Sequence, residues 1–270
     1  MDHAQLELFA DHTPIPPASN PEAGRRMDVE ELTDATLIAA IPDASLADAQ
    51  ALAAEAGRRR LGDAVPALIA LCNRFVGFGA NCRVPEQTAA LDALCVIGGA
   101  AASRYVNQTI VKGIVQGPNL TAALIAASRL GATLNPDVAL PLLRHAEPSV
   151  RAAACACVRA NGEIVATLIE LLSDLNREVA TAAACALGRM GRIEALNPLK
   201  RLVVERPSAR VIEALAGVAD EEAIVFLARL GRNRPELADA VLSALDEIDH
   251  ARAGVAASGL RSWLSPSDRS

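Results

Sequence analysis

The sequence predicts an all-α fold, an α-solenoid (superhelix) of about seven stacked helical pairs, and three observations predict it. First, 51% of the 270 residues are hydrophobic but only 2% are aromatic. Much of the apolar content is alanine and leucine, which favour helix, while aromatic and β-branched strand formers are comparatively few. Second, apolar residues recur at helical spacing in paired segments joined by short polar turns. Third, Gly62, Gly99, Gly131, Gly162 and Gly191 fall about 30 residues apart with one longer gap, a period typical of repeat architectures. A glycine just past a helix supplies the left-handed conformation that caps its last carbonyls, so these five are expected to close the units.

The elements follow in order. Residues 1–26 read as a disordered N-terminal arm, because Pro14, Pro16, Pro17 and Pro21 block helix and the stretch offers little apolar surface to bury. Ordered structure is expected from near Asp28, with the solenoid at 27–265 and a disordered C-terminus at 266–270. Arg58, Arg59 and Arg60 form the densest basic run, expected as a solvated last helical turn favoured by the helix dipole. Residues 64–71 open a first helix, and a segment at 75–84 interrupts that unit where its neighbours have short turns. Residues 138–144, a turn at 145–148 and a second helix in 149–162 make the next clear unit. The best-defined unit pairs 164–174 with 178–191 across a turn holding Asp174, Asn176 and Arg177. Helix pairs continue through 196–222 and 223–250, and the apolar segment 251–264 with Trp263 suits a terminal cap, since a solenoid end must cover its core.

Several of these stretches resemble the HEAT-repeat superfamily, particularly its short bacterial form, also found in phycobilisome-lyase subunits. The residues that carry the resemblance are Ala64-Val65-Pro66-Ala67-Leu68, echoed by Leu196-Asn197-Pro198-Leu199, the second-helix start Ser149-Val150-Arg151-Ala152-Ala153, and the Ala186-Leu187-Gly188-Arg189-Met190-Gly191 ending. The resemblance spans about residues 28–264. It implies a right-handed superhelix whose second helices line a concave surface, and it is nearly silent on function, because a fold hosts many activities. Ala180 stands where the family pattern has arginine after the valine, so a ladder of inter-repeat ion pairs is expected to be incomplete.

Charge and cysteine usage narrow the class. The net charge of −6 is the wrong balance for a chain that grips phosphates, so direct nucleic-acid binding is not expected. Residues 1–10 carry acidic and polar side chains and no apolar signal core, and no apolar run reaches the roughly 18 residues of a membrane span. A soluble cytoplasmic protein is therefore expected, with Cys72, Cys82, Cys95, Cys155, Cys157 and Cys185 acting as small hydrophobes rather than disulfides. Cys155 and Cys157 diverge by about 200° if both stand on a helix, which disfavours a shared metal. His3, His12, His145 and His250 show no ligand spacing.

Two segments point to partners. Gln5, Leu6, Leu8 and Phe9 resemble the Gln-Leu-x-Leu-Phe pentapeptide by which many bacterial proteins dock on the DNA polymerase sliding clamp. The glutamine amide would serve a pocket rim and the three apolar side chains its subsites, at the end of a proline-bearing tether. The inserted loop offers Phe75, Phe78 and Arg83, and insertions in solenoids often map to a binding face. No phosphate loop, nucleophile elbow or carboxylate pair appears, so no catalytic residue, metal or cofactor is assigned. The expected function is a non-enzymatic adaptor for a protein partner. The resemblance leaves two alternatives, a bilin-lyase-like subunit and a HEAT-like DNA-binding or repair protein.

Overall fold

The structure is a computed structural model that describes residues 28–77, 82–218 and 220–246. Among them there are only helices and turns. The helices are α1 (Asp34–Ala40), α2 (Leu46–Arg58), α3 (Val65–Asn73), α4 (Pro85–Ile97), α5 (Gly99–Val111), α6 (Pro118–Arg129) and α7 (Pro136–Leu143). They continue with α8 (Pro148–Ala154), α9 (Gly162–Leu171), α10 (Arg177–Arg189), α11 (Leu196–Glu205), α12 (Ala209–Gly217) and α13 (Glu221–Asn233), after which 238–246 are helical. The expected arm at 1–26, the C-terminus at 266–270 and the cap at 251–264 with Trp263 lie outside the described residues.

Local chemistry sets the helix starts. Proline, whose missing N–H costs nothing in a first turn, opens α3, α4, α6, α7 and α8. Side-chain oxygens of Thr33, Ser45, Asn161, Asn176, Ser208 and Asp220 cap α1, α2, α9, α10, α12 and α13 by accepting a first-turn amide. At the ends, only Gly131 and Gly191 behave as expected, each at φ +69°. Gly62 and Gly162 instead begin helical turns, and Gly98 rather than Gly99 closes α4. Arg60, at φ 54°, takes the left-handed place after α2.

Seven pairs result, α1/α2 through α11/α12 and then α13 with 238–246, in two layers. In the even layer α2 packs on α4, and so on through α6, α8, α10 and α12; in the odd layer α3 packs on α5, α7 on α9 and α11 on α13. Even helices bury small residues, such as Ala53 and Gly57, Ala90 and Ala93, Ala123 and Ala127, Ala183 and Gly188. Both layers also bury large residues, among them Leu52, Leu91, Leu94, Leu124 and Leu187 in the even layer and Leu68, Leu71, Leu143 and Leu168 in the odd. A Cβ added to Gly57 would stand 3.2 Å from the Cα of Ala93, which measures how near α2 and α4 come. Each fully buried leucine in the shared core contributes about 1.5–3 kcal/mol.

Polar contacts tie neighbouring pairs. Arg151 on α8 grips Asp174 through Nε and one terminal nitrogen at 2.9 and 3.0 Å, and its other nitrogen reaches the carbonyls of His145 and Ala146. At the next junction Ala180 leaves that rung missing, as the sequence implies, but Arg177 one turn earlier pairs with Glu205. Within the Arg58–Arg60 run, Arg58 and Arg60 are exposed as expected, but the solvated reading is corrected at Arg59. Arg59 is mostly covered and donates to the carbonyls of Val29, Glu30 and Leu32 and to the carboxylates of Asp34 and Glu55. It works as a clasp on the first pair because its guanidinium presents five donors in a fixed fork.

Candidate protein-binding groove

α8 stops after 7 residues, whereas its even-layer neighbours α6 and α10 run for 12 and 13. A second helix reaching toward Gly162 was expected here. Instead the chain leaves the helix at Ala154, and the amides of Ala156 and Cys157 bond back to the carbonyls of Ala153 and Ala154 at 3.1 and 2.9 Å. Cys157 pins this turn: it is fully buried, its thiol donates to the Leu124 carbonyl at 3.2 Å, and its own carbonyl accepts from Leu134 N–H at 2.8 Å. Cys155 and Cys157 thus lie in a turn, where helical divergence does not apply.

The short helix leaves a depression of about 430 Å³ on the even-helix face. Ala152, Ala153 and Ala156 line its floor, Ile125, Ser128 and Arg129 come from α6, and Arg189 and Arg210 come from α10 and α12. None of the three arginines forms an ion pair among the described residues. Arg189 donates to the Cys155 carbonyl at 3.3 Å. Burial, and then the like charge of Arg210, push its pKa below the ordinary arginine value. It stays protonated at any working pH, so the two cations oppose each other.

The thiols nearby do not neutralise them. Burial pushes Cys155 up to about 12 and Cys157 up to about 11, against the pull of Arg189. Burial also raises Cys185 and Cys95, the latter against the charge of Arg129. Among the described residues no group of three His, Cys, Asp or Glu is arranged to hold a metal ion.

Gln5, Leu6, Leu8, Phe9 and Phe78 lie outside the described residues. Phe75 is half-buried against the core, with the Arg74 guanidinium 5.6 Å from its ring centroid. Arg74 donates to the carbonyls of Pro42 and Ala44 at 3.0 and 2.9 Å, and Arg83 is exposed. At the loop's far end, buried Asn119 of α6 accepts from Val84 N–H at 3.1 Å and donates to the Val84 carbonyl at 3.0 Å. Phe75 and Arg83 therefore sit at the two anchored ends of the inserted segment, away from the groove. The three groove arginines escaped the sequence reading. One signal was available: Arg129 and Arg189 each stand two residues before a capping glycine, Gly131 or Gly191, and equivalent places in stacked helices share a face.

Residues 136–219, from α7 through α12, match the family model for HEAT repeats. Residues 136–219 carry HEAT repeats. The HEAT-repeat match takes in α8, α10 and α12 of the groove and begins after α6. Among solved structures the chain is similar to the X-ray structure of YibA from E. coli, with 16% identity, 82% of this chain and 94% of that chain covered, and a TM-score of 0.48. No curated protein matches the chain. No helix among the described residues is long and apolar enough to cross a membrane.

Proposed function

We propose that this HEAT-repeat chain is a non-catalytic scaffold that holds a protein partner against its even-helix face. The observation that supports this reading is the groove: a preformed, open surface with an apolar floor and three arginines that no carboxylate among the described residues engages. Preformed surfaces lose little conformational freedom on binding, which favours association over a surface that must first order itself. Quantitative affinity capture tests it, comparing the unaltered chain with one carrying Arg129→Glu and Arg210→Glu. The partner retained by the first should be lost by the second; equal recovery would move binding to another surface.

The finer reading adds a tether. Gln5, Leu6, Leu8 and Phe9 dock on a DNA polymerase sliding clamp, and the scaffold then carries its partner to sites of replication or repair. The pentapeptide pattern and its place ahead of a proline-bearing stretch support this. Fluorescence polarisation of a labelled peptide of residues 1–17, titrated with a bacterial sliding clamp, is expected to show saturable micromolar binding that Gln5→Ala with Phe9→Ala removes. Absence of binding would leave the scaffold without this tether.

A further inference from the structure

The groove's chemistry specifies the kind of segment it fits. Arg189 and Arg210 line the same depression, near enough for one to depress the pKa of the other, and neither has a carboxylate partner among the described residues. An anion between them relieves that repulsion. Arginine favours planar carboxylates, which accept two parallel N–H bonds from one guanidinium. Beside the charges, Ile125 is 41% exposed, and Ala152 and Ala153 leave room for an aliphatic side chain. At about 430 Å³ the depression takes a few side chains, within the ordinary range of ligand sites.

We propose that the groove binds an acidic, leucine-bearing segment of a protein partner, with carboxylates on Arg129, Arg189 and Arg210 and a leucine over Ile125 and the alanine floor. This rests on the even-helix face being the protein-binding face. A nucleic acid fits less well: no aromatic side chain lines the groove to stack a base, and the chain carries a net charge of −6. A neutral apolar peptide would leave three cations desolvated without partners, a cost that favours the acidic ligand.

The test uses the full chain and a fluorescein-labelled 15-residue peptide of repeating Leu-Glu-Glu, read by anisotropy, about ten residues being enough to cross the groove. The peptide is expected to bind and to weaken as salt rises. Arg129→Glu and Arg210→Glu should each weaken it about tenfold or more, the loss of one charge-assisted contact plus a new repulsion. Lys112→Glu, at the exposed end of α5 in the odd layer, should leave binding unchanged. Arg210→Lys keeps the charge but loses the fork, so it should fall between the unaltered chain and Arg210→Glu, an order that loss of folding alone would not produce.

Equal binding of the Leu-Gln-Gln peptide would overturn the acidic preference while leaving a protein-binding face in place. Tighter binding of a labelled single-stranded oligonucleotide than of the acidic peptide would overturn both readings and assign the arginines to phosphates. No binding of the acidic peptide, with the unaltered chain folded by circular dichroism, would also overturn the proposal.

Discussion

Gly188 of α10 and Gly217 of α12 meet backbone to backbone: a methyl built on Gly217 would stand 2.8 Å from the carbonyl oxygen of Gly188. The reverse construction is worse, since a methyl on Gly188 would overlap the Ala214 carbonyl and lie 2.7 Å from Leu199 Cδ1. Gly188→Ala is therefore expected to destabilise the fold by about 2–3 kcal/mol through overpacking. Gly162→Ala, with nothing within 4 Å of the new methyl, should leave stability unchanged or slightly raised. Urea unfolding of the two variants separates the outcomes; equal midpoints would show that the α10–α12 approach has slack.

Arg60 occupies a left-handed conformation at φ 54°. Two backbone bonds hold it there, from Arg60 N–H to the Gly57 carbonyl and from Leu61 N–H to the Ala56 carbonyl, at 3.0 and 3.1 Å. Glycine tolerates that conformation without the Cβ penalty, so Arg60→Gly should raise stability by about 1 kcal/mol. A thermal melt that shifts downward would mean the arginine side chain contributes more than the strain costs.

Glu55 sits among guanidinium donors: Arg58 holds both its oxygens at 2.7 and 2.6 Å, and Arg59 adds a third bond. Hydrogen bonds from Arg58 and then Arg59 hold its pKa at about 2, below the ordinary glutamate value of 4.5. A depressed carboxylate stabilises the fold above its unfolded pKa, and that contribution is lost as pH falls through the folded value. Stability should thus decline between about pH 4.5 and pH 2, and Glu55→Gln should flatten the decline. Asp174, lowered chiefly by Arg151, contributes in the same direction. Urea midpoints measured across that window check the slope.

Asn119 is fully buried and joins three places at once, bonding to Val84 N–H, the Val84 carbonyl and Gln87 Oε1. Asn119→Ala strands the first two in a dry interior, at about 1–3 kcal/mol for unsatisfied groups. Asn119→Asp keeps the acceptor for Val84 N–H but sets a charge against two carbonyl-type oxygens, and it should cost at least as much. Hydrogen exchange at Val84 should quicken in both variants; unchanged protection would show that water replaces the side chain.

The pairing of helices was legible because its cause is local. Alanine and leucine at 3.6-residue spacing in 164–171 and 178–191 reappear as α9 and α10 within a few residues. Unit ends were less legible, because a glycine serves the start of a helix as readily as its close, as Gly162 does. The early end of α8 had no local mark: neither glycine nor proline stands at 155–157, and the stop comes from bonds between Cys157 and the distant Leu124 and Leu134. The groove lies where α8 ends early, and its three arginines were not singled out from the sequence. Arg59 was misjudged for the same reason, its partners at 29–34 being visible only once α2 turns back on the first pair.

The two anchors of the inserted segment have an engineering consequence. Arg74 ties its start to the α1–α2 connection, and Asn119 ties its return to α6, each through side chain-to-backbone bonds that do not depend on what residues 78–81 are. Replacing residues 78–81 therefore leaves the chemistry of both anchors intact. A foreign epitope or a reporter domain spliced there would enter between Arg74 and Asn119, at the end of α6 opposite Arg129.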